Sequence, residues 1–189
     1  IVGTFILVYA ICSAATVYSG GNKLLGIVGL PPLGMIGVGL VHALVLTAIV
    51  YAIGYRSGAQ VNPAVTIALL VTGKMRGKEA ALTIACQILG AVIAAAVVYS
   101  MFGSDMAASV TLPADGNTIR AFILETVMTF TLVYVVLATT TSKNYKIAPL
   151  AGVAIGFTLG FNVILGGSIS GGSLNPARSF APALIVGNF

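Results

Sequence analysis

Ser57-Gly58-Ala59-Gln60-Val61-Asn62-Pro63-Ala64-Val65-Thr66 returns later in the chain as Ser170-Gly171-Gly172-Ser173-Leu174-Asn175-Pro176-Ala177-Arg178-Ser179. Asn suits a helix N-cap, and Pro suits the first helical position, where its missing N–H would have had no partner. Each Asn-Pro-Ala is therefore the start of a helix. The apolar runs that follow, Pro63 to Thr72 and Pro176 to Val186, are about half the roughly 20 residues a membrane span needs.

Around these two half-length runs the chain is overwhelmingly apolar. Of its residues 58% are hydrophobic and 7% charged, against roughly 25% charged in a soluble domain, and the mean hydropathy is +1.08. This is the composition of an integral membrane protein. Five runs are long enough to span: Ile1 to Tyr18, Pro32 to Ile53, Ala80 to Phe102, Ile119 to Thr141 and Ile147 to Leu165.

The net charge of +5 reads as topology rather than as a nucleic-acid surface. Let five spans alternate and each half-length run return to the side it entered from. Arg56, Lys74, Arg76, Lys78, Lys143 and Lys146 then share one side, and Lys23, Arg120, Asp105 and Asp115 lie on or near the other. The positive-inside rule makes the first side cytoplasmic, together with the N-terminus. The N-terminal stretch lacks a basic region and a cleavage site, so it is read as a span that has lost its beginning rather than as a signal peptide. Cys12 and Cys86, the only cysteines, both fall inside spans. A disulfide framework is not expected; they pack as small apolar groups.

A second repeat sharpens the organisation. Thr4-Phe5-Ile6-Leu7-Val8-Tyr9 recurs as Thr129-Phe130-Thr131-Leu132-Val133-Tyr134, 125 residues on, while the two Asn-Pro-Ala tripeptides stand 113 apart. The chain is two copies of one unit. The first repeat occupies 1–103, with three spans and a half-helix over 62–72. An extracellular connecting loop covers 104–118, and the second repeat, 119–189, holds two spans and a half-helix over 175–186. An odd number of spans per copy inverts one copy relative to the other. The pattern predicts a sixth span after Phe189 and a Glu just before Ile1, equivalent to Glu125, so the chain reads as trimmed at both ends.

Two half-helices entering from opposite faces meet N-terminus to N-terminus near the midplane, since ten residues at about 1.5 Å rise cover half of a roughly 30 Å core. Their approach loops run through membrane depth without helix, which is tolerated only where protein buries the backbone or water lines it. Gly58, Gly171 and Gly172 let that backbone fold tightly. Two positive helix ends facing one point repel cations, and the Asn amides can donate to a passing water oxygen. Such a device passes neutral molecules.

Twin Asn-Pro-Ala boxes in this setting resemble those of the aquaporin and glycerol-facilitator family, the major intrinsic proteins. Gln87-Ile88-Leu89-Gly90-Ala91, Glu125 and Arg178 carry the resemblance further, and it covers essentially the whole chain. It implies an all-α right-handed bundle of inverted repeats with two re-entrant half-helices, a homotetramer with one pore per subunit, a place in the plasma membrane, and no cofactor. The short loops point to a prokaryotic, archaeal member.

The resemblance also assigns roles. Asn62, Pro63, Ala64, Asn175, Pro176 and Ala177 form the pore motifs. Arg178 becomes the arginine of a narrow outer filter; in the first turn of a half-helix its charge opposes the helix dipole at a cost of roughly 0.3–1 kcal/mol, so ordinary helix design would not place it there. The family's other filter positions lie 20 and 12 residues before the respective box Asn and three before the second, which gives His42, Val163 and Gly172. Glu125, the only acid inside a complete span, reads either as a proton relay or, as the resemblance implies, as an acceptor for backbone N–H groups of the loop before Asn175.

The set His, aliphatic, Gly, Arg is similar to that of tonoplast-type aquaporins, which also pass ammonia. The chain has no Trp, carries Ser179 where glycerol channels have Asp and Ala183 where they have a basic residue, and so leans to water. The expected partners are water, ammonia or other small neutral solutes and the lipid bilayer, with no nucleic acid. A glycerol facilitator, an ion-coupled transporter and a closed-pore junction protein are the other readings. No nucleophile with a base, metal cluster or phosphate loop is apparent, so no enzyme is expected. Small residues at Gly37, Gly39, Gly90, Ala91 and Ala94 to Ala96 predict close helix packing.

Overall fold

The computed structural model of the chain describes residues 1–18, 31–140 and 148–189. Lys23, Lys143, Lys146 and the predicted start of the fifth span at Ile147 lie outside the described residues. Within them the architecture is all helical. The helices are α1 (Val2–Tyr18), α2 (Pro31–Ser57), α3 (Pro63–Val71), α4 (Gly77–Phe102), α5 (Thr118–Thr140), α6 (Ala151–Ser170) and α7 (Pro176–Val186), with 3-10 turns at Gly103–Ser109 and Ala148–Leu150.

Segments within α2, α4, α5 and α6 are long and apolar enough to cross a membrane, and α1 is a shorter apolar helix. The outer surface fits that solvent. Phe122 is 73%, Phe130 69% and Val71 79% exposed, an arrangement that water would penalise and hydrocarbon does not. Arg76 and Lys78 flank one end of α4, while Asp105 follows its other end. The charges around α4 are thus held to its two ends.

Helix ends depart from the hydropathy limits for a local reason. α2 runs on past Ile53 to Ser57 and α6 past Leu165 to Ser170. The weakly apolar Gly166-Gly167-Ser168 looked like an end, but helix continues until a left-handed glycine can cap it. Gly171 does this with φ 86°, its N–H bonding to the Gly167 carbonyl at 3.0 Å. The segment 103–117 is more than a loop, because Met106 is wholly buried among Val8, Cys12, Val98 and Ala181.

α2 packs on α6, α1 on α4, α5 on α6 and α4 on α7. Bare backbone makes these contacts close. A Cβ on Gly39 would meet the Gly160 carbonyl at 2.8 Å and one on Gly160 the Gly39 carbonyl at 2.8 Å, while a Cβ on Gly90 would collide with the Ile1 carbonyl. Ala91, Ala94 and Ala95 are fully buried. Ala96 instead faces outward, one helical position away from the α1 contact.

Candidate functional site

α3 and α7 begin at facing points, and their caps are built alike. Asn62 has an extended backbone, φ −148° and ψ 119°, and its side chain accepts from the Ala64 N–H at 2.9 Å with Pro63 at the first helical position. Asn175 repeats this at φ −147° and ψ 107°, with Pro176 at the first position, and accepts from Ala177 N–H at 3.1 Å and Arg178 N–H at 3.3 Å. Such caps contribute about 0.5–2 kcal/mol each.

The same two side chains also brace each other's loops. Asn62 Nδ2 donates to the Leu174 carbonyl at 2.7 Å, and Asn175 Nδ2 donates to the Val61 carbonyl at 2.9 Å. Each carbonyl belongs to the residue just before the opposite Asn. An amide nitrogen carries two hydrogens, so one is committed across the interface and the other is left to point elsewhere. Two helix N-termini, each worth about half a positive charge, are thereby held face to face.

The loops leading into the caps share a backbone twist. Gly58 and Ala59 have φ 69° and 48°, and Gly171 and Gly172 have 86° and 58°. Ala59 takes the left-handed conformation at the position equivalent to Gly172, so φ alone does not require glycine there. Space is also tight: a Cβ on Gly172 would lie 3.2 Å from Gly167 Cα and 3.3 Å from Val163 Cα, so α6 backbone would have to give by a few tenths of an ångström.

Each loop is held from outside by a different chemistry. Glu125 on α5 accepts from Ser170 Oγ at 2.6 Å and Ser173 N–H at 2.8 Å through one oxygen, and from Leu174 N–H at 2.8 Å through the other. Leu174, not a glycine, is thereby fixed at φ 51°. On the first loop, Gln87 of α4 donates to the Gln60 carbonyl and, at 2.9 Å, to Thr66 Oγ1. The sequence signal for Gln87 was its place as a lone amide in an apolar span, inside the stretch that carried the family resemblance.

His42 and Val163 are each 1% exposed and Arg178 is 2% exposed. His42 Nδ1 lies 2.7 Å from the Val38 carbonyl. A carbonyl only accepts, so Nδ1 carries the hydrogen, and in the neutral ring Nε2 is a bare acceptor. That Nε2 has no protein partner. Arg178 donates from NH1 to the Ser109 carbonyl at 2.6 Å, while its Nε–H has no protein partner. Gly172 lies against Val163. No hydrogen bond joins these four residues to one another among the described residues. Sequence reasoning missed Ser109, since a backbone acceptor 69 residues away leaves no mark on residue identity. It also missed the hydroxyl chain in which Ser179 meets Thr111 at 2.6 Å and Ser173 at 2.5 Å.

On the other side of the boxes lies a cavity of about 710 Å³, which reaches Asn62 and Asn175 and extends to Tyr55, Lys74 and Pro149. His42, Val163, Gly172 and Arg178 are not among its lining residues. Shifted by the repeat spacing of 113, these four become Ile155, Val50, Ala59 and Val65, and all four of those line the cavity. One half of the molecule thus buries His42 and Arg178 where the other sets Ile155 and Val65 on the cavity wall. The offset alone could have found this second set.

The family model of the major intrinsic protein matches residues 1–189. Aquaporin NIP1-1 of Oryza sativa subsp. japonica is 39% identical over 190 residues, covering 100% of this chain and 63% of that one. Nodulin-26 of Glycine max is 36% identical over 189 residues, covering 100% and 66%. Aquaporin TIP4-4 of Zea mays is 36% identical over 185 residues, covering 97% and 72%. The chain thus spans just under two thirds of the length of the first two of these relatives. Among solved structures, the aquaglyceroporin from Plasmodium falciparum shares the fold with a TM-score of 0.76 at 21% identity, covering 98% of this chain and 77% of that one.

Proposed function

The chain belongs to the major intrinsic protein family, and on that premise we propose that it is a passive transmembrane channel, not an enzyme, conducting water and ammonia while excluding protons and ions. The observation that carries this reading is the pair of buried, unpartnered polar atoms, the His42 Nε2 acceptor and the Arg178 Nε–H donor. A water or ammonia molecule can donate to the first and accept from the second. Leaving such groups unsatisfied costs about 1–3 kcal/mol each, so a neutral molecule with both capacities is stabilised there. A cation gains neither the donor nor the two facing helix N-termini, and it must also shed its hydration.

Val163 and Gly172 add no polar group to this filter, which favours ammonia over a strictly water-sized polar ring. A glycerol-type pore is the second reading, supported by the fold shared with an aquaglyceroporin. An ion-coupled transporter has less support, because Glu125, the acid within α5, has both oxygens engaged in holding the loop, by Ser170, Ser173 and Leu174. The homotetramer, the plasma membrane and a cytoplasmic N-terminus belong to the same proposal.

Water, ammonia and glycerol permeabilities of proteoliposomes, measured side by side for the native chain and His42→Phe, test it. The native chain is expected to pass water and ammonia well above empty vesicles and glycerol little. In His42→Phe the acceptor is lost, and water permeability should fall by about tenfold, the effect of one buried hydrogen bond to the permeant. Ammonia flux no greater than in empty vesicles would remove ammonia from the proposal.

Mercurials give an independent check. Gly172 offers no thiol at the filter, Cys12 is buried and Cys86 half-buried. Water flux is expected to survive mercuric chloride, and full block would place a reactive thiol in the conduit.

A further inference from the structure

A file of single waters does not need about 710 Å³; that is the size of a small-molecule cleft. Its walls are aliphatic, with Leu7 and Ile11 from α1, Leu132 and Val136 from α5, and Ile155 and Leu159 from α6. They are so because the inverted repeat sets Val65 and Ile155 where the other half has Arg178 and His42. Among the described residues, one charged side chain stands on the lining, Lys74. Its backbone is fixed by an N–H donated to the Leu69 carbonyl at 2.8 Å, and among the described residues no acid shares the lining with it. Tyr51, also on the lining, spends its hydroxyl on the Pro149 carbonyl at 2.8 Å. At the far end stand Asn62 and Asn175, each with an amide hydrogen not used in the cross-brace.

We propose that this cavity is a binding site for a small monoanionic amphiphile, a carboxylate carrying an apolar body, which plugs the conduit from this side. The body lies against Leu7, Ile11, Leu132 and Ile155, and the carboxylate meets the Lys74 ammonium in a charge-assisted pair. An apolar cleft with one convergent charge selects for both features at once. The plugging rests on the channel reading, whereas the binding does not.

Calorimetric titration of the full chain in nanodiscs of zwitterionic lipid, with 4-phenylbutyrate as probe and protein-free nanodiscs as blank, tests the binding. Saturable binding is expected, weakened about tenfold or more in Lys74→Gln, as for loss of a charge-assisted hydrogen bond, and largely kept in Lys74→Arg. The cationic 4-phenylbutylamine should bind far more weakly. Equal affinity of Lys74→Gln and the native chain, or of the amine and the carboxylate, overturns the site. In proteoliposomes the carboxylate should slow water exit when present on the Lys74 side, with the slowing judged against each variant's own uninhibited rate. Binding without slowing overturns the plug; binding by a chain that conducts no water at all overturns the channel reading and leaves the site standing.

Discussion

Arg178→Val is expected to let glycerol and small cations through while water still passes. The guanidinium is buried, its NH1 tied to the Ser109 carbonyl at 2.6 Å and its Nε free of protein partners. Valine removes the only fixed charge in the first turn of α7 and widens the ring that Val163 and Gly172 leave small. Glycerol permeability should rise by about tenfold, the factor that corresponds to about 1.4 kcal/mol off a barrier, and a proton or cation leak should appear where the native chain shows none. The Ser109 carbonyl loses its donor at a cost of about 1–3 kcal/mol, partly offset because a cation no longer opposes the helix dipole. The fold should therefore survive. Arg178→Lys keeps the charge without the planar fork and should fall between. Stopped-flow glycerol uptake and a pH-dye leak assay on the three chains check this, and an ion-tight Arg178→Val would remove Arg178 from the barrier.

Glu125→Gln is expected to cost more in folding than any filter substitution. One carboxylate holds three donors, two of them backbone N–H groups of a loop that cannot satisfy itself. Gln presents an NH₂ to one of these donors, so at least one bond becomes a donor–donor contact. With about 1.5–3 kcal/mol for each bond to a charged group, and Leu174 in a left-handed conformation that costs about 1–3 kcal/mol, the loss is several kcal/mol. Leu174 should relax, its carbonyl should leave Asn62 Nδ2, and both caps should shift together. Thermal unfolding in detergent should move down by several degrees and water permeability should fall by about tenfold. Glu125→Asp, too short to reach both oxygen positions, should behave like Glu125→Gln; native-like flux in both would show that the loop stands without this acid.

The helix starts were legible at Asn62-Pro63 and Asn175-Pro176 because cap and first-position chemistry is local. Their cross-brace was not, since each Asn amide donates to a backbone carbonyl 112 or 114 residues away and any residue type supplies a carbonyl. The same holds for Ser109 beneath Arg178. The end of α6 was misread because hydropathy falls at Gly166 while helix persists to the left-handed cap at Gly171. The segment after Phe102 read as a connecting loop, yet its Met106 fills the space between α1, α4 and α7, a fact of packing that no periodicity announces. His42, Val163 and Gly172 were found by counting from the boxes under a family resemblance. The apolar counterparts Val50, Ala59, Val65 and Ile155 needed only the internal repeat.

The central claim is that neutral water passes down its own gradient between the two capped helix ends. Stopped-flow light scattering of proteoliposomes under an impermeant-osmolyte gradient, with and without an imposed proton or sodium gradient, tests it most directly. Shrinkage several-fold faster than in protein-free vesicles, and unchanged by the ion gradients, is the predicted result. A rate equal to that of protein-free vesicles, or one that follows the ion gradient, would contradict it.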